Sequence, residues 1–427
     1  ITFRFLFIST LCIGIAYVLL PVITSQDVFS YIAYARMLVI YHLDPFTTIP
    51  TSIYTDSVYP FLFWINQPSI YGPTWLILTA ALQWLALGLG LHSVLAIEVL
   101  LRLFGLVMHL GATWLLWLLS GHMRDLNVDG WVPETPVQRQ KRLRAVLAFA
   151  WNPFLLLEAC VNAHNDTTIL FIVLGALWFL AQSQSRQTRR SPWAYLLAAL
   201  VLAVAACVKI TLLIFLPALL LYLWMRWATR ARYQRAVVEV VAASGIYLCT
   251  MVLLYAPFWH QESLRYVFQV APTASRDVNS LYETVASIYA HFSGGSLSDN
   301  LAPGTSAEVF SHSLSTILFA CVFGIYCLRS IRSPVLINTF PALVSWMAWA
   351  WLLYCIIGSP WFWPWYTTTF FGLAALVEAA HAYKKRSVPW LSLFVCLLAV
   401  SMMSMYSFGN WVPETSSSFL SQWRWMS

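Results

Sequence analysis

Charge is scarce in this chain. Asp, Glu, Lys and Arg make up only 10% of its 427 residues, while apolar residues make up 60%. A soluble domain of this length needs a far more polar surface, so a soluble globular or disordered protein is excluded. Metal-ribbon and redox spacings are lacking too. The eight cysteines (Cys12, Cys160, Cys207, Cys249, Cys321, Cys327, Cys355 and Cys396) include no CxxC pair and lie in or beside apolar runs. They read as buried small hydrophobes, with no structural zinc predicted. Internal repeats, a cleavable signal peptide and any polar stretch long enough to fold alone are absent as well. The chain starts at Ile1 rather than Met, so some N-terminal sequence is expected to be missing.

What is present is a series of apolar stretches, many near the ~20 residues that cross a bilayer. They predict an all-α polytopic membrane protein forming one module over residues 1–427. The net charge of +7 invites a nucleic-acid reading, which the positions reject. All but six Lys and Arg residues sit at Arg4 or in short loops at 124–144, 186–190, 226–235, 329–332 and 384–386. That is the positive-inside pattern, which makes those loops cytoplasmic.

The basic loops also set the topology. Spans are expected near 5–23, 92–120, 145–160, 167–183, 193–208, 210–225, 236–257, 308–328, 335–357, 366–382 and 388–407, about eleven in all. The stretch 71–90 then has the wrong parity to cross. It follows Pro68 and Gly72-Pro73 and carries Gln83, Gly88 and Gly90, so it reads as an interfacial or re-entrant helix. The first external loop is expected over about 24–91 and the second over about 258–307. Within the first, Val28–Ile40 suits a helix in the interface plane, with Val28, Phe29, Ile32 and Ala33 on its apolar side. Ser30, Tyr34 and Arg36 would be its polar side, and Asp27 would lie at or near its N-cap.

Six basic residues escape the cytoplasmic loops: Arg36, Arg102, Lys209, Arg265, Arg276 and Arg424. A charge near the membrane centre costs ~3 kcal/mol on insertion scales, which implies a partner or a task. Arg102 has Glu98 one turn earlier, so it either forms an i,i+4 pair or turns toward a lipid phosphate. Lys209 either snorkels to the headgroups or grips a phosphate. Arg276, beside Asp277, forms a surface pair or orders the second external loop over a bound donor.

Among the carboxylates predicted outside, Asp27 stands out, because it opens an aromatic, partly polar run just beyond the first span. A carboxylate at the bilayer edge suits a base that meets a lipid-borne substrate. It takes the proton of a sugar hydroxyl attacking an anomeric carbon, and a leaving phosphate needs no second acid. Asn162-Ala163-His164-Asn165-Asp166 reads either as a capping turn or as a weak metal site with His260 or His291. No metal and no cofactor are required by the chemistry. The run Ser359-Pro360-Trp361-Phe362-Trp363-Pro364-Trp365-Tyr366 suits an aromatic belt and, equally, a sugar-stacking surface.

Together these residues resemble the polyprenyl-phosphate-mannose-dependent α-1,6-mannosyltransferases of the GT-C superfamily. The matching stretches are Asp27-Val28-Phe29-Ser30-Tyr31, Leu43-Asp44-Pro45-Phe46 and Tyr71-Gly72-Pro73-Thr74-Trp75. Then come Trp151-Asn152-Pro153 through Glu158, the Asn162–Asp166 knot and Val208-Lys209, with a looser match at Pro364-Trp365-Tyr366. The likeness covers about residues 1–260 well and the rest in outline. It implies a GT-C-type bundle with interfacial helices in the first external loop, and Asp27 as the catalytic base. Substrate-binding positions would be Asp44, Tyr71, Arg102, His164, Asn165, Asp166, Lys209, Arg276, Trp365 and Tyr366. The implied activity is an inverting hexosyl transfer, most simply of mannose, from a polyprenyl-phosphate donor to a glycan or glycolipid acceptor. It would take place outside the bacterial cytoplasmic membrane, with the bilayer as partner and no nucleic acid. A lipid-linked sugar transporter or flippase, or an inactive accessory subunit of a membrane assembly, is the alternative.

Overall fold

The computed structural model describes residues 2–22, 24–124, 133–182, 193–259, 280–293, 306–381 and 390–408. Every regular element among them is helical. Local sequence explains most starts. Thr2, Ser93 and Thr339 cap α1 (Phe3–Val18), α4 (Val94–Ser120) and α13 (Phe340–Leu353) through their hydroxyls. Thr135 and Gln138 form a capping box at the head of α5 (Pro136–Ala150), which therefore begins well before the expected 145. Proline supplies the first residue of α3 (Pro73–Gly88) and α5, where its missing N–H costs nothing.

Asn152-Pro153 breaks the next span. α5 ends, and a one-turn α6 (Pro153–Leu156) runs into a π-turn at Leu157–Val161, bent by 46° from α5. Beyond it lie α7 (Asn165–Gln182), α8 (Ala194–Ala206), a 3₁₀ turn at Ile210–Ile214, α9 (Phe215–Ala228) and α10 (Tyr233–Tyr255). The remainder comprises α11 (Leu281–Ser293), α12 (Ser306–Arg332), α13, a π-turn at Tyr354–Gly358, a 3₁₀ turn at Pro364–Thr367, α14 (Thr368–His381) and α15 (Trp390–Phe408).

Among the described residues, six helices are long and apolar enough to cross a membrane, or seven if the bent pair is one span. Three further apolar helices are shorter: α1 and α3 have 16 residues each and α8 has 13. Length therefore does not separate α1, expected to cross, from α3, expected not to.

α4, α7, α8, α10 and α9 pack in succession, and α13 and α14 close the core against α9, α5 and α7. α10 and α12 leave most of their apolar surface outward, as helices facing lipid do. Cys12, Cys249, Cys321 and Cys396 are exposed on such faces, so only part of the cysteine set is buried as expected.

The polar side expected of the first-loop helix is not exposed. α2 (Asp27–Val39) exists, with Asp27 as its first residue, but ten of its 13 residues are buried, including Ser30 and Tyr34 from the supposed polar side. The segment that follows covers that side. Arg36 donates through Nε to both oxygens of buried Asp56 at 2.9 Å, and Tyr41 Oη donates to the same carboxylate at 2.8 Å. Tyr34 Oη donates to the Gln67 carbonyl at 3.0 Å. The loop that follows thus covers the side expected to be polar.

Candidate active site

The Asn152–Asp166 segment builds one wall. Its π-turn carries Glu158 into the interior, fully buried, and packs closely on α4 because Gly105 has no side chain there. A Cβ on Gly105 would stand 2.0 Å from the Ala159 carbonyl oxygen. π-turns of this kind concentrate at functional sites. Ala163 then adopts a left-handed conformation (φ 52°), which is strained for a residue with a Cβ, and reverses the chain. The reversal puts His164 back over the π-turn: its N–H donates to the Glu158 carbonyl at 2.9 Å.

The His164 ring is held on every side. Its Nδ1 meets Glu158 Oε2 at 2.5 Å, and Asn162 Nδ2 donates to the same oxygen at 3.0 Å. Its Nε2 lies 3.2 Å from Ser25 Oγ and 3.7 Å from Asp27 Oδ2. One face stacks on Trp365 (centroids 4.1 Å, 19°), which stacks in turn on Trp363 (4.9 Å, 4°). Burial works against a charge on the imidazole. Glu158 and Asp27, at opposite ring nitrogens, outweigh it and push the group from its ordinary 6.5 up to about 9.

Asp27 is the link between elements. Its Oδ2 also accepts from Tyr71 Oη at 3.3 Å, and its side chain keeps 16% exposure. Tyr71 packs edge-on to Tyr31 at 4.9 Å. Burial and the Asp27 charge keep the Tyr71 phenol well above its ordinary value, so it remains a donor. Tyr71 is placed by backbone docking. Gly72 N–H donates to the Val208 carbonyl at 2.9 Å and Thr74 N–H to the Cys207 carbonyl at 3.0 Å.

That same strip leads into Lys209. Its ammonium lies 3.6 Å from Asp166 Oδ1 and 3.4 Å from the centroid of the Tyr366 ring. Burial pulls its pKa below the ordinary lysine value, with Asp166 and Asp27 opposing. Tyr366 is held from behind by Trp351 Nε1, which donates to its carbonyl at 2.7 Å. Three carboxylates and two cationic groups thus share one partly open, aromatic-walled site.

The expected residues divide. Asp27, Tyr71, His164, Asp166, Lys209, Trp365 and Tyr366 come together, with Asn165 buried beside them at the head of α7. Arg102 is engaged elsewhere, and the self-pairing reading is the one observed. It is buried, pairs with Glu98 and donates to the Val18 and Leu20 carbonyls at the end of α1. Asp44 folds its own loop, accepting from Phe46 N–H at 2.9 Å through its side chain and from Thr47 and Thr48 through its carbonyl. Arg276 and His260 lie outside the described residues. Among the described residues no three His, Cys, Asp or Glu side chains group to hold a metal, and His164 shows why: its carboxylates flank opposite nitrogens rather than converge.

Glu158 was not singled out from the sequence. It stands six residues before His164, a separation that neither helix nor strand brings face to face. The one available signal was a carboxylate within an otherwise apolar run.

No curated protein matches the chain. Among solved structures it is similar to the oligosaccharyltransferase of Archaeoglobus fulgidus in complex with zinc and sulfate, with 13% identity and a TM-score of 0.48. The alignment covers 94% of this chain and 52% of that one, so the chain spans about half the length of that structure. Residues 11–226 match the family described as alpha-(1->6)-mannopyranosyltransferase, N-terminal domain. That range holds Asp27, Tyr71, Glu158, His164, Asp166 and Lys209, whereas Trp365 and Tyr366 lie beyond it. Matching over half of its length, the chain belongs to the alpha-(1->6)-mannopyranosyltransferase family of membrane glycosyltransferases.

Proposed function

We propose that this protein transfers a mannosyl group from a polyprenyl-phosphate donor to a glycan or glycolipid hydroxyl, on the outer face of the bacterial cytoplasmic membrane, through a GT-C-type active site. The observation that carries this reading is Asp27 held beside Tyr71, His164 and the Lys209–Asp166 pair at a partly exposed position. The proton of the attacking hydroxyl passes to the Asp27 carboxylate. The hydroxyl oxygen bonds to the anomeric carbon as the bond to phosphate breaks, its electron pair leaving with the phosphate. One displacement inverts the centre, so a β-linked donor gives the α-linked product named in the family description.

Lys209 is the cation suited to the departing phosphate. It is already partly desolvated on the Tyr366 ring, so its charge acts at low dielectric on the developing anion. Asp166 opposes the effect of burial on that charge and aims it. Trp363 and Trp365 give the site the aromatic walls on which sugars stack. Arg102 has no part in this reading.

The test is transfer of radiolabelled mannose from polyprenyl-phosphate mannose to a short α-mannoside, with Asp27→Asn beside wild type. Loss of about 10²–10⁴-fold in the variant is expected. Equal transfer by the two proteins would remove Asp27 from the chemistry.

A further inference from the structure

Glu158 is a buried ionisable side chain that the reaction above does not use. We propose that Glu158 is a positioning residue of the active site, which acts through His164 to orient the Asp27 carboxylate. This deepens the reading of Asp27 as the base and rests on it.

The geometry is more elaborate than folding requires. The reversal at Ala163 is already closed by the backbone bond from His164 N–H to the Glu158 carbonyl. A side-chain bond from His164 Nδ1 to Glu158 Oε2 is added to it, at the cost of burying a carboxylate completely. Asn162 supplies a second donor to that carboxylate, so it is compensated and fixed. The imidazole plane is fixed in turn by the Trp365–Trp363 stack. With Nδ1 committed to Glu158, the ring has one direction left for Nε2, toward Ser25 Oγ and Asp27 Oδ2.

The charges around the ring give this direction its effect. Glu158 faces it from the π-turn and Asp27 from α2. Asp166 follows at the head of α7, paired with Lys209 from the strip before the 3₁₀ turn, while Tyr71 and Tyr31 bring neutral phenols. The two flanking carboxylates hold His164 as an imidazolium through neutral pH. In that form both ring N–H groups have acceptors, Nδ1–H in Glu158 Oε2 and Nε2–H in Ser25 Oγ, and the imidazolium charge stands 3.7 Å from Asp27 Oδ2. Tyr71 and His164 engage Asp27 Oδ2, which leaves Oδ1 to take the proton of the acceptor hydroxyl. Neither Glu158 nor His164 gains or loses a proton in the cycle. Their part is to hold the base in one rotamer beside a fixed positive charge.

Glu158→Gln tests this, because the amide keeps the shape and can still accept from Nδ1–H. We expect kcat to fall by about tenfold or more, with KM for donor and acceptor within about twofold of wild type. Wild-type activity should decline as pH rises through about 9, where His164 loses its proton. In Glu158→Gln that decline should move toward the ordinary histidine value, and Glu158→Asp should restore it part of the way.

Thermal melting of the purified protein against pH gives a readout independent of transfer. The folded-state value of His164 lies above its unfolded value, so its stabilisation is complete below about 6.5 and is lost as pH rises through about 9. Glu158→Gln should narrow that window. A variant with the wild-type kcat and an unmoved alkaline limb overturns the proposal. A melting limb that moves while transfer stays intact also overturns it, since Glu158 would then charge His164 without serving Asp27. If Asp27→Asn transfers normally, the base assignment itself fails. The melting curves still report whether Glu158 charges His164, so the two failures are distinct.

Discussion

Gly72→Ala should be among the most damaging single-methyl changes in this protein. A Cβ at position 72 would stand 2.1 Å from the Cys207 carbonyl oxygen and 2.8 Å from its carbon. The obstacle is backbone, and both Cys207 and Val208 are fully buried, so no side chain can swing aside. Two backbone hydrogen bonds cross the contact, from Gly72 and Thr74, and separation of the strips weakens both. Overpacking costs ~1–3 kcal/mol, and each lost bond ~1 kcal/mol, so a total near ~3–5 kcal/mol follows. That is a large part of the stability of an ordinary domain. The displaced strips carry Tyr71 on one side and Lys209 on the other, so the change also opens the Tyr71–Asp27 contact. Gly245→Ala on α10 is the control. Nothing lies within 4 Å of its Cβ position, and alanine is favoured over glycine inside a helix by ~1 kcal/mol. In detergent-purified protein, Gly72→Ala should melt several degrees below wild type and lose transfer, while Gly245→Ala should match or exceed wild type. Equal melting of Gly72→Ala and wild type would refute the close docking.

Lys209→Met should reduce transfer by about 10²–10³-fold, because it removes the cation proposed to meet the leaving phosphate, and arginine in its place should restore little on so tight a ring contact. Steady-state kinetics with wild-type-like turnover for Lys209→Met would exclude that role. Arg102→Leu should destabilise by ~3–5 kcal/mol by stranding buried Glu98, while the folded fraction keeps its kinetic constants; a selective drop in kcat would bring Arg102 back into the site. Trp365→Ala frees one face of His164 and should lower kcat while leaving melting within a few degrees; unchanged kinetics would show that the stack does not serve the site.

Much of the architecture was legible because it follows from local chemistry. Apolar length and the placement of Lys and Arg identify a polytopic helical membrane protein without reference to any contact. The Gly72-Pro73 step marks where α3 begins, whereas apolar length puts the start of α5 near 145, well after its Thr135 cap. Asp27 stands out as a carboxylate just beyond a span, while the break at Asn152-Pro153 falls inside the stretch 145–160 that apolar length reads as one span. The amphipathic reading of α2 failed for a reason that local pattern cannot reveal: Ser30 and Tyr34 look solvent-facing until the loop carrying Asp56 and Gln67 folds over them.

Residue types and membrane class were therefore determined by the sequence itself, while the tertiary structure decided which of those residues meet. Tyr71 reaches Asp27 across 44 positions, and His164 reaches Ser25 across 139. Glu158 joins them only because a π-turn and a left-handed alanine bring together two residues that regular helical periodicity would separate. Arg102 and Lys209 look alike as isolated basic residues in apolar surroundings. One is consumed by Glu98 and the end of α1, and the other is aimed at Asp166 and Tyr366. Side-chain periodicity describes a segment against its immediate neighbours, whereas an active site depends on long-range packing that periodicity does not encode.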